Sequence, residues 1–169
     1  MAMSPYIRDL RTYVGGARLL MPSVSGIVRA PGNRVLLVQL RDDGLWSTPG
    51  GSIELDETPA DAVVREVWEE TGLLVAPRRI LGVYGGPAFV VNYPNGDETQ
   101  YVTTMFECER VSGEIRADDD ETQAARFWTY EEAAKLPLSP WLPPVLPHLF
   151  DATAEPWFEP AAWQPTHGN

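Results

Sequence analysis

The sequence predicts an α/β fold in which a mixed β-sheet is covered by helices. Three observations lead there. β-rich runs separated by Gly, Pro and Asn turns recur along most of the chain; a capped amphipathic helix interrupts them over residues 59–71; and a short helical run at residues 130–136 follows the last strand. At 169 residues, with 44% hydrophobic content, the chain suffices for one domain with a sizeable core. Residues 1–152 are expected to form that domain, and residues 153–169 a Pro- and Trp-containing tail.

At the N-terminus, Ser4-Pro5 followed by Tyr6, Ile7, Leu10, Tyr13 and Val14 reads as a short amphipathic helix ending at Gly15-Gly16, a scaffold element or dimer contact. Ser23 to Ala30 and Arg34 to Leu40 form two β-rich runs around Pro31-Gly32-Asn33, compatible with a hairpin. Thr58 then suits an N-cap, Pro59 the first helical position and Gly72 a left-handed stop, with Asp61 completing an approximate capping box. Beyond this helix, Ile80 to Tyr84, Phe89 to Asn92 and Tyr101 to Glu109 read as strands, with a strong turn at Pro94-Asn95-Gly96-Asp97. Val111-Ser112-Gly113 suggests a further turn, Ala125 to Thr129 a strand and Tyr130 to Leu136 a helix. From Pro137 onward, prolines at 140, 143, 144 and 147 should shorten any helix, although Leu142, Val145, Leu146, Leu149 and Phe150 can still pack. In the tail, Trp157, Phe158 and Trp163 are unusual for pure disorder and are candidates for docking on the body or a partner.

The helix at 59–71 concentrates charge. With Glu66 at zero and about 100° per residue, Glu70 falls near about 40° and Glu69 near about −60°, so three carboxylates share one sector. Ala60, Val63, Val64, Val67 and Thr71 form the expected core stripe beside it. Carboxylates at this spacing repel by about a few tenths of a kcal/mol per pair in water, and burial raises the cost. A solvated acidic face is one resolution; a divalent cation is the other. An oxygen-only ligand set favours Mg²⁺, with Mn²⁺ as substitute. Zinc does not suit a chain with one cysteine, Cys108, and two histidines, His148 and His167, without ligand spacing. Glu57, just before the helix, and Arg65, away from its core stripe, read as a bracing ion pair.

Gly51, Glu57, Arg65, Glu66, Val67, Glu69, Glu70, Gly72 and Leu73 fill the pattern G-x5-E-x7-R-E-U-x-E-E-x-G-U, with U a bulky aliphatic residue. This resembles the Nudix box in every specified position. The resemblance implies an α/β/α sandwich and a Mg²⁺-dependent pyrophosphohydrolase that cleaves a nucleoside diphosphate linked to another moiety X. Glu66, Glu69 and Glu70 would bind metal together with the carbonyl of Gly50, while Glu57 and Arg65 would orient the ligands. Many relatives take an extra carboxylate from the loop before the strand that corresponds to 125–129, which singles out Glu121. Glu69, Glu70 and Glu121 are therefore the candidate proton acceptors. Arg41 follows a strand as phosphate-binding arginines do in some relatives, against the alternative of an ordinary exposed arginine. Trp46, Tyr84, Phe89 and Tyr93 offer rings for base stacking, with core packing the competing assignment for most.

ADP-ribose or another nucleotide sugar, a dinucleoside polyphosphate, or a modified nucleoside triphosphate all satisfy the resemblance, and no downstream marker selects among them. The alternative from another class is a nucleotide-sensing module that binds without hydrolysis; its sign would be degraded carboxylates, and these are intact. A homodimer is common in the family. The net charge of −11 argues against a nucleic-acid polymer as partner but not against phosphate ligands reached through metal. No run approaches the roughly 18 apolar residues of a membrane span. With a single cysteine, the expected setting is the cytoplasm.

Overall fold

A computed structural model describes residues 5–93, 95–118 and 120–165. Among these, nine strands are joined by hydrogen bonds: β1 (Leu19–Ala30), β2 (Arg34–Leu40), β3 (Trp46–Ser47), β4 (Gly50–Ser52), β5 (Leu73–Tyr84), β6 (Val90–Asn92), β7 (Glu98–Gly113), β8 (Thr122–Trp128) and β9 (Trp157–Phe158). The helices are α1 (Pro5–Val14), α2 (Pro59–Thr71), α3 (Tyr130–Ala133) and α4 (Leu142–Phe150).

The strand order is β3-β2-β1-β7-β5-β9, with β4 also on β1, β6 on β7 and β8 on β2. β1 and β7 run parallel from Leu19↔Thr99 to Val28↔Cys108, whereas β5–β7 and β2–β8 are antiparallel, so the sheet is mixed. The expected hairpin forms at Pro31-Gly32-Asn33, but β1 and β2 pair only at Arg29↔Val35 and Ala30↔Arg34. Beyond that point the two strands separate, β1 taking β4 and β7 while β2 takes β3 and β8. A cleft is lined by residues of both branches, including Ser25, Ser47 and Gly50.

Side-chain alternation sorts the core into two layers. Val24, Val28, Leu36 and Val38 pack in one cluster with Ala62, Val63 and Val67 of α2. Their neighbours Ile27, Val35 and Leu37 pack in the other with Leu142, Val145, Leu146 and Leu149 of α4. A one-residue slip would exchange the two sets, so the pattern fixes the register as well as the layers.

Several elements differ from expectation for identifiable reasons. β7 continues through Val111-Ser112-Gly113 where a turn was expected, because Leu73 and Leu74 pair there with Gly113 and Ser112. Phe89 ends a 3₁₀ turn, and β6 begins one residue later. α4 is a nine-residue helix despite its prolines. Pro143 and Pro144 occupy its first turn, where backbone N–H groups have no helical acceptor, and the five apolar residues named above are all buried. α3 stops at Ala133 after a complete Thr129–Glu132 capping box.

α1 buries none of its residues; Arg11 ties it to the body through the carbonyls of Ala17 and Glu98 at 2.6 and 2.8 Å. The proposed helix start at Ser4 and the tail's His167 lie outside the described residues. In the tail, β9 adds in parallel to β5, and the Trp157 ring stacks on Tyr84 at 4.9 Å. Phe158 and Trp163 are exposed. Among the described residues, no helix is long and apolar enough to cross a membrane.

Candidate functional site

α2 forms where its local signals place it. The Thr58 hydroxyl accepts from the Asp61 N–H at 3.1 Å, and Gly72 adopts φ 70° while its N–H donates to Trp68 O at 2.9 Å. The helix is rotated from the expected stripe, however. Its buried residues are Ala62, Val63, Glu66, Val67, Glu70 and Thr71, while Ala60 is exposed and Val64 half-buried. Two of the three carboxylates thus face inward. The cause is the backbone opposite: Gly50 N–H donates to Glu70 Oε2 at 2.8 Å, and the Glu66 carboxylate lies over Gly51, where a Cβ would come within 2.6 Å of Glu66 Oε1. Only glycine admits that approach.

Glu66 and Glu70 are 7% and 3% exposed, whereas the Glu69 side chain is 54% exposed. Burial raises the Glu66 pKa to about 7, opposed by the charge and hydrogen bond of Arg65 and assisted by Glu69 and Glu121. Burial also holds Glu70 well above the ordinary carboxylate range, with Glu66, Glu121 and Asp118 adding repulsion and the Gly50 bond opposing it. Arg65 is the organising cation. Its Nε and Nη2 meet the two Glu57 oxygens at 2.9 and 3.0 Å, and Nη1 reaches Glu66 at 2.8 Å and Glu69 at 3.1 Å. Nη2 also donates to Ser52 O at 3.0 Å, joining helix to strand β4. The Arg65 hydrogen bond lowers the Glu57 pKa against partial burial.

Glu121 is brought to the same place from the loop before β8. Asp118 Oδ1 accepts from the backbone N–H of Asp120, Glu121 and Thr122 at 2.9–3.0 Å, shaping the loop, and Thr122 Oγ1 donates to Glu70 O at 3.0 Å. Glu70 and Glu121 both line the cleft, which encloses about 270 Å³. Arg41 N–H donates to Glu121 O at 2.9 Å, but the Arg41 side chain is exposed and is not part of the cleft wall. Asp42 and Asp43, next in the loop, line the cleft. Trp46 and Tyr84 belong to the core, while Phe89 and Tyr93 reach the cleft.

Sequence reasoning missed several contributors. Asp118 had no signal beyond its acidic run, and Tyr101, Asp42 and Trp141 reach the cleft only through the pairing of distant strands and loops. Among the described residues, no group of three or more His, Cys, Asp or Glu side chains is already gathered as a metal cage. Glu69 is turned toward Arg65. The donors nearest the cleft are nonetheless all oxygens, a set that suits a hard divalent cation, and two of them are buried carboxylates whose repulsion such a cation would relieve.

Known proteins resemble this chain in sequence and in fold. The family model described as NUDIX domain matches residues 19–149. A MutT-like protein of Streptomyces ambofaciens is 37% identical over 113 residues, covering 67% of this chain and 66% of its own length. An ADP-ribose pyrophosphatase of Methanocaldococcus jannaschii is 36% identical over 126 residues, covering 71% and 68%. The chain thus spans about two thirds of the length of these relatives. Among solved structures, an ADP-ribose pyrophosphatase from Streptococcus suis superposes with a TM-score of 0.62 at 26% identity, covering 80% of this chain and 96% of that one.

Proposed function

Because the chain belongs to the Nudix family, we propose that it is a Mg²⁺-dependent pyrophosphohydrolase cleaving the diphosphate of a nucleoside diphosphate linked to a moiety X. The observation that carries the reading is the burial of Glu66 and Glu70 on α2, electrostatically coupled to Glu121 and beside a cleft that Glu70 and Glu121 line. Glu66, Glu69, Glu70 and the Gly50 carbonyl would hold the metal. When bound, Mg²⁺, or Mn²⁺ in its place, supplies charge neutralisation of the diphosphate and acidification of the attacking water.

The chain's own residues supply the rest. Glu57 and Arg65 fix the direction of α2's acidic face against β4, so that the carboxylates keep one geometry through the reaction. The candidate proton acceptors are Glu69, which Arg65 engages, Glu70, which accepts from Gly50 N–H, and Glu121, which lines the cleft beside Glu70. The ADP-ribose pyrophosphatases among its relatives support a nucleotide derivative as substrate, ADP-ribose or another nucleotide sugar, a dinucleoside polyphosphate or a modified triphosphate. A cytoplasmic setting and a homodimer belong to the same proposal.

The test is a Mg²⁺-dependent hydrolysis screen over those three substrate classes, run with wild type and Glu70→Gln. We expect one class to be preferred and its turnover to fall by about 100-fold or more in the variant. Unchanged turnover in Glu70→Gln, or full activity in excess EDTA, would refute the mechanism. Mg²⁺-dependent nucleotide binding with no hydrolysis of any substrate would support the sensing module instead.

A further inference from the structure

Residues 150–165 lie beyond the part of the chain that the family model matches, yet they are stapled to the sheet. Arg79 donates from Nη1 to Ala154 O at 2.8 Å and from Nη2 to Ala152 O at 3.2 Å, and Glu107 holds its Nε at 2.8 Å. Further on, Trp157 of β9 pairs with Gly82 of β5. Only glycine fits there, because a Cβ would lie 2.6 Å from Trp157 O and 2.8 Å from Tyr84 Cε2. The bare position lets the tail backbone and the Tyr84 ring close on the same strand, where the Trp157 ring stacks on Tyr84 with centroids 4.9 Å apart and planes 16° from parallel.

Tyr84 carries this contact inward. The residue is buried, and its hydroxyl makes no hydrogen bond among the described residues, so packing fixes the ring. His148 meets it edge-on at 6.4 Å, and Phe89 lies against it at 6.1 Å. Phe89 in turn stacks on Trp141 at 5.5 Å. Trp157, Tyr84, Phe89 and Trp141 belong to one core cluster, and the last two line the cleft. Phe89 sits in the segment that joins β5 to β6 outside the strand ladders, entered through Gly85-Gly86, so its ring is located by the rings packed on it as well as by backbone pairing. A close-packed row passes a displacement along, since it holds no void to absorb one.

We infer that Trp157 is a positioning residue for the cleft: stacked on Tyr84, it holds Phe89 against Trp141, so that the C-terminal tail sets how tightly the cleft takes the flat ring of a nucleoside base. The inference rests on the proposed function for its class of ligand, a base-bearing diphosphate, but concerns binding, so the two can fail separately. Calorimetry in Mg²⁺ on the full chain tests it with the α,β-methylene analogues of ADP and UDP and with methylenediphosphonate, which keeps both phosphorus groups and has no base. The variants are Trp157→Ala, Trp157→Phe, Trp157→Leu and Trp163→Ala, each compared with wild type after a circular dichroism check of the fold.

One nucleotide analogue should bind wild type about 10-fold or more tighter than methylenediphosphonate. Trp157→Ala should weaken that nucleotide by about fivefold and leave methylenediphosphonate within about twofold. Trp157→Phe keeps a ring on Tyr84 and should recover most of the loss; Trp157→Leu keeps apolar bulk without a flat ring, should bind like Trp157→Ala, and carries the test if the alanine variant does not fold. Trp163→Ala, at an exposed tail ring, should match wild type. Nucleotide affinity unmoved by the loss of the Trp157 ring, equal weakening of both kinds of ligand, no recovery in Trp157→Phe, or a wild type that binds neither nucleotide better than methylenediphosphonate would overturn the inference. Turnover of the unbridged substrates is measured in parallel. The expected affinities without turnover remove the hydrolytic reading and leave the tail's role standing; turnover with nucleotide affinity indifferent to Trp157 does the reverse.

Discussion

At the scale of single residues, the site is governed by where carboxylates are allowed to be charged. Glu66 would titrate near 4.5 in the unfolded chain but is raised to about 7 by burial. Between those values the folded state binds more protons than the unfolded state, so stability falls as pH rises through the window and levels off above the folded pKa. The contribution is up to about 3 kcal/mol. Metal-free protein should accordingly melt at a higher temperature at pH 5 than at pH 8, and Mg²⁺ should restore part of the difference at pH 8. A melting temperature that climbs from pH 5 to pH 8 in EDTA would contradict the buried placement of this side chain. Gly51 is the complementary case. In Gly51→Ala the new methyl meets the mobile end of Glu66 rather than backbone, so the fold should survive while the carboxylate is displaced. We expect kcat to drop by roughly 100-fold with a circular dichroism spectrum unlike that of an unfolded chain; near-normal turnover would show that the Glu66 position is not critical.

At the scale of elements, α2 carries the site and its ends decide how firmly. Thr58 satisfies the Asp61 N–H at the start, and Gly72 closes the end before the chain enters β5. Thr58→Ala should cost about 1 kcal/mol in urea unfolding, since an orphaned N–H at the first turn is left to solvent. Because Arg65 and the carboxylates are braced independently through Glu57, Ser52 and Gly50, KM should not change. A large KM shift in this variant would mean that the cap, and not the Arg65 network, positions the acidic face. The same element shows how far local spacing reaches. The caps and the i, i+3, i+4 carboxylates were legible because they depend on residues within one or two turns. The helix phase was not, because it is set by the glycine backbone of β4 on which the helix rests; Ala60 therefore moved out of the core and Ala62 into it.

At the scale of the whole molecule, the cleft exists because β1 and β2 separate after two paired positions and are completed by different partners. The chain's end contributes to the opposite edge, where β9 joins β5 and Trp157 stacks on Tyr84. Trp157→Ala should lower stability by about 1–2 kcal/mol through lost ring contact and burial, read as a fall of about 2–8 °C in the melting temperature; an unchanged value would show that the tail strand adds nothing to the body. What the sequence by itself determined is the glutamate-bearing helix, its caps, the all-oxygen character of its side-chain donors and the alternation that divides the sheet into two layers, all consequences of short-range spacing. Tertiary structure alone decided that Glu66 and Glu70 turn inward while Glu69 faces Arg65, that Glu121 meets them through a loop shaped by Asp118, and that Asp42 rather than Arg41 reaches the cleft. Those outcomes depend on backbone groups and charges contributed from separate strands and loops, whose mutual distances no local pattern encodes.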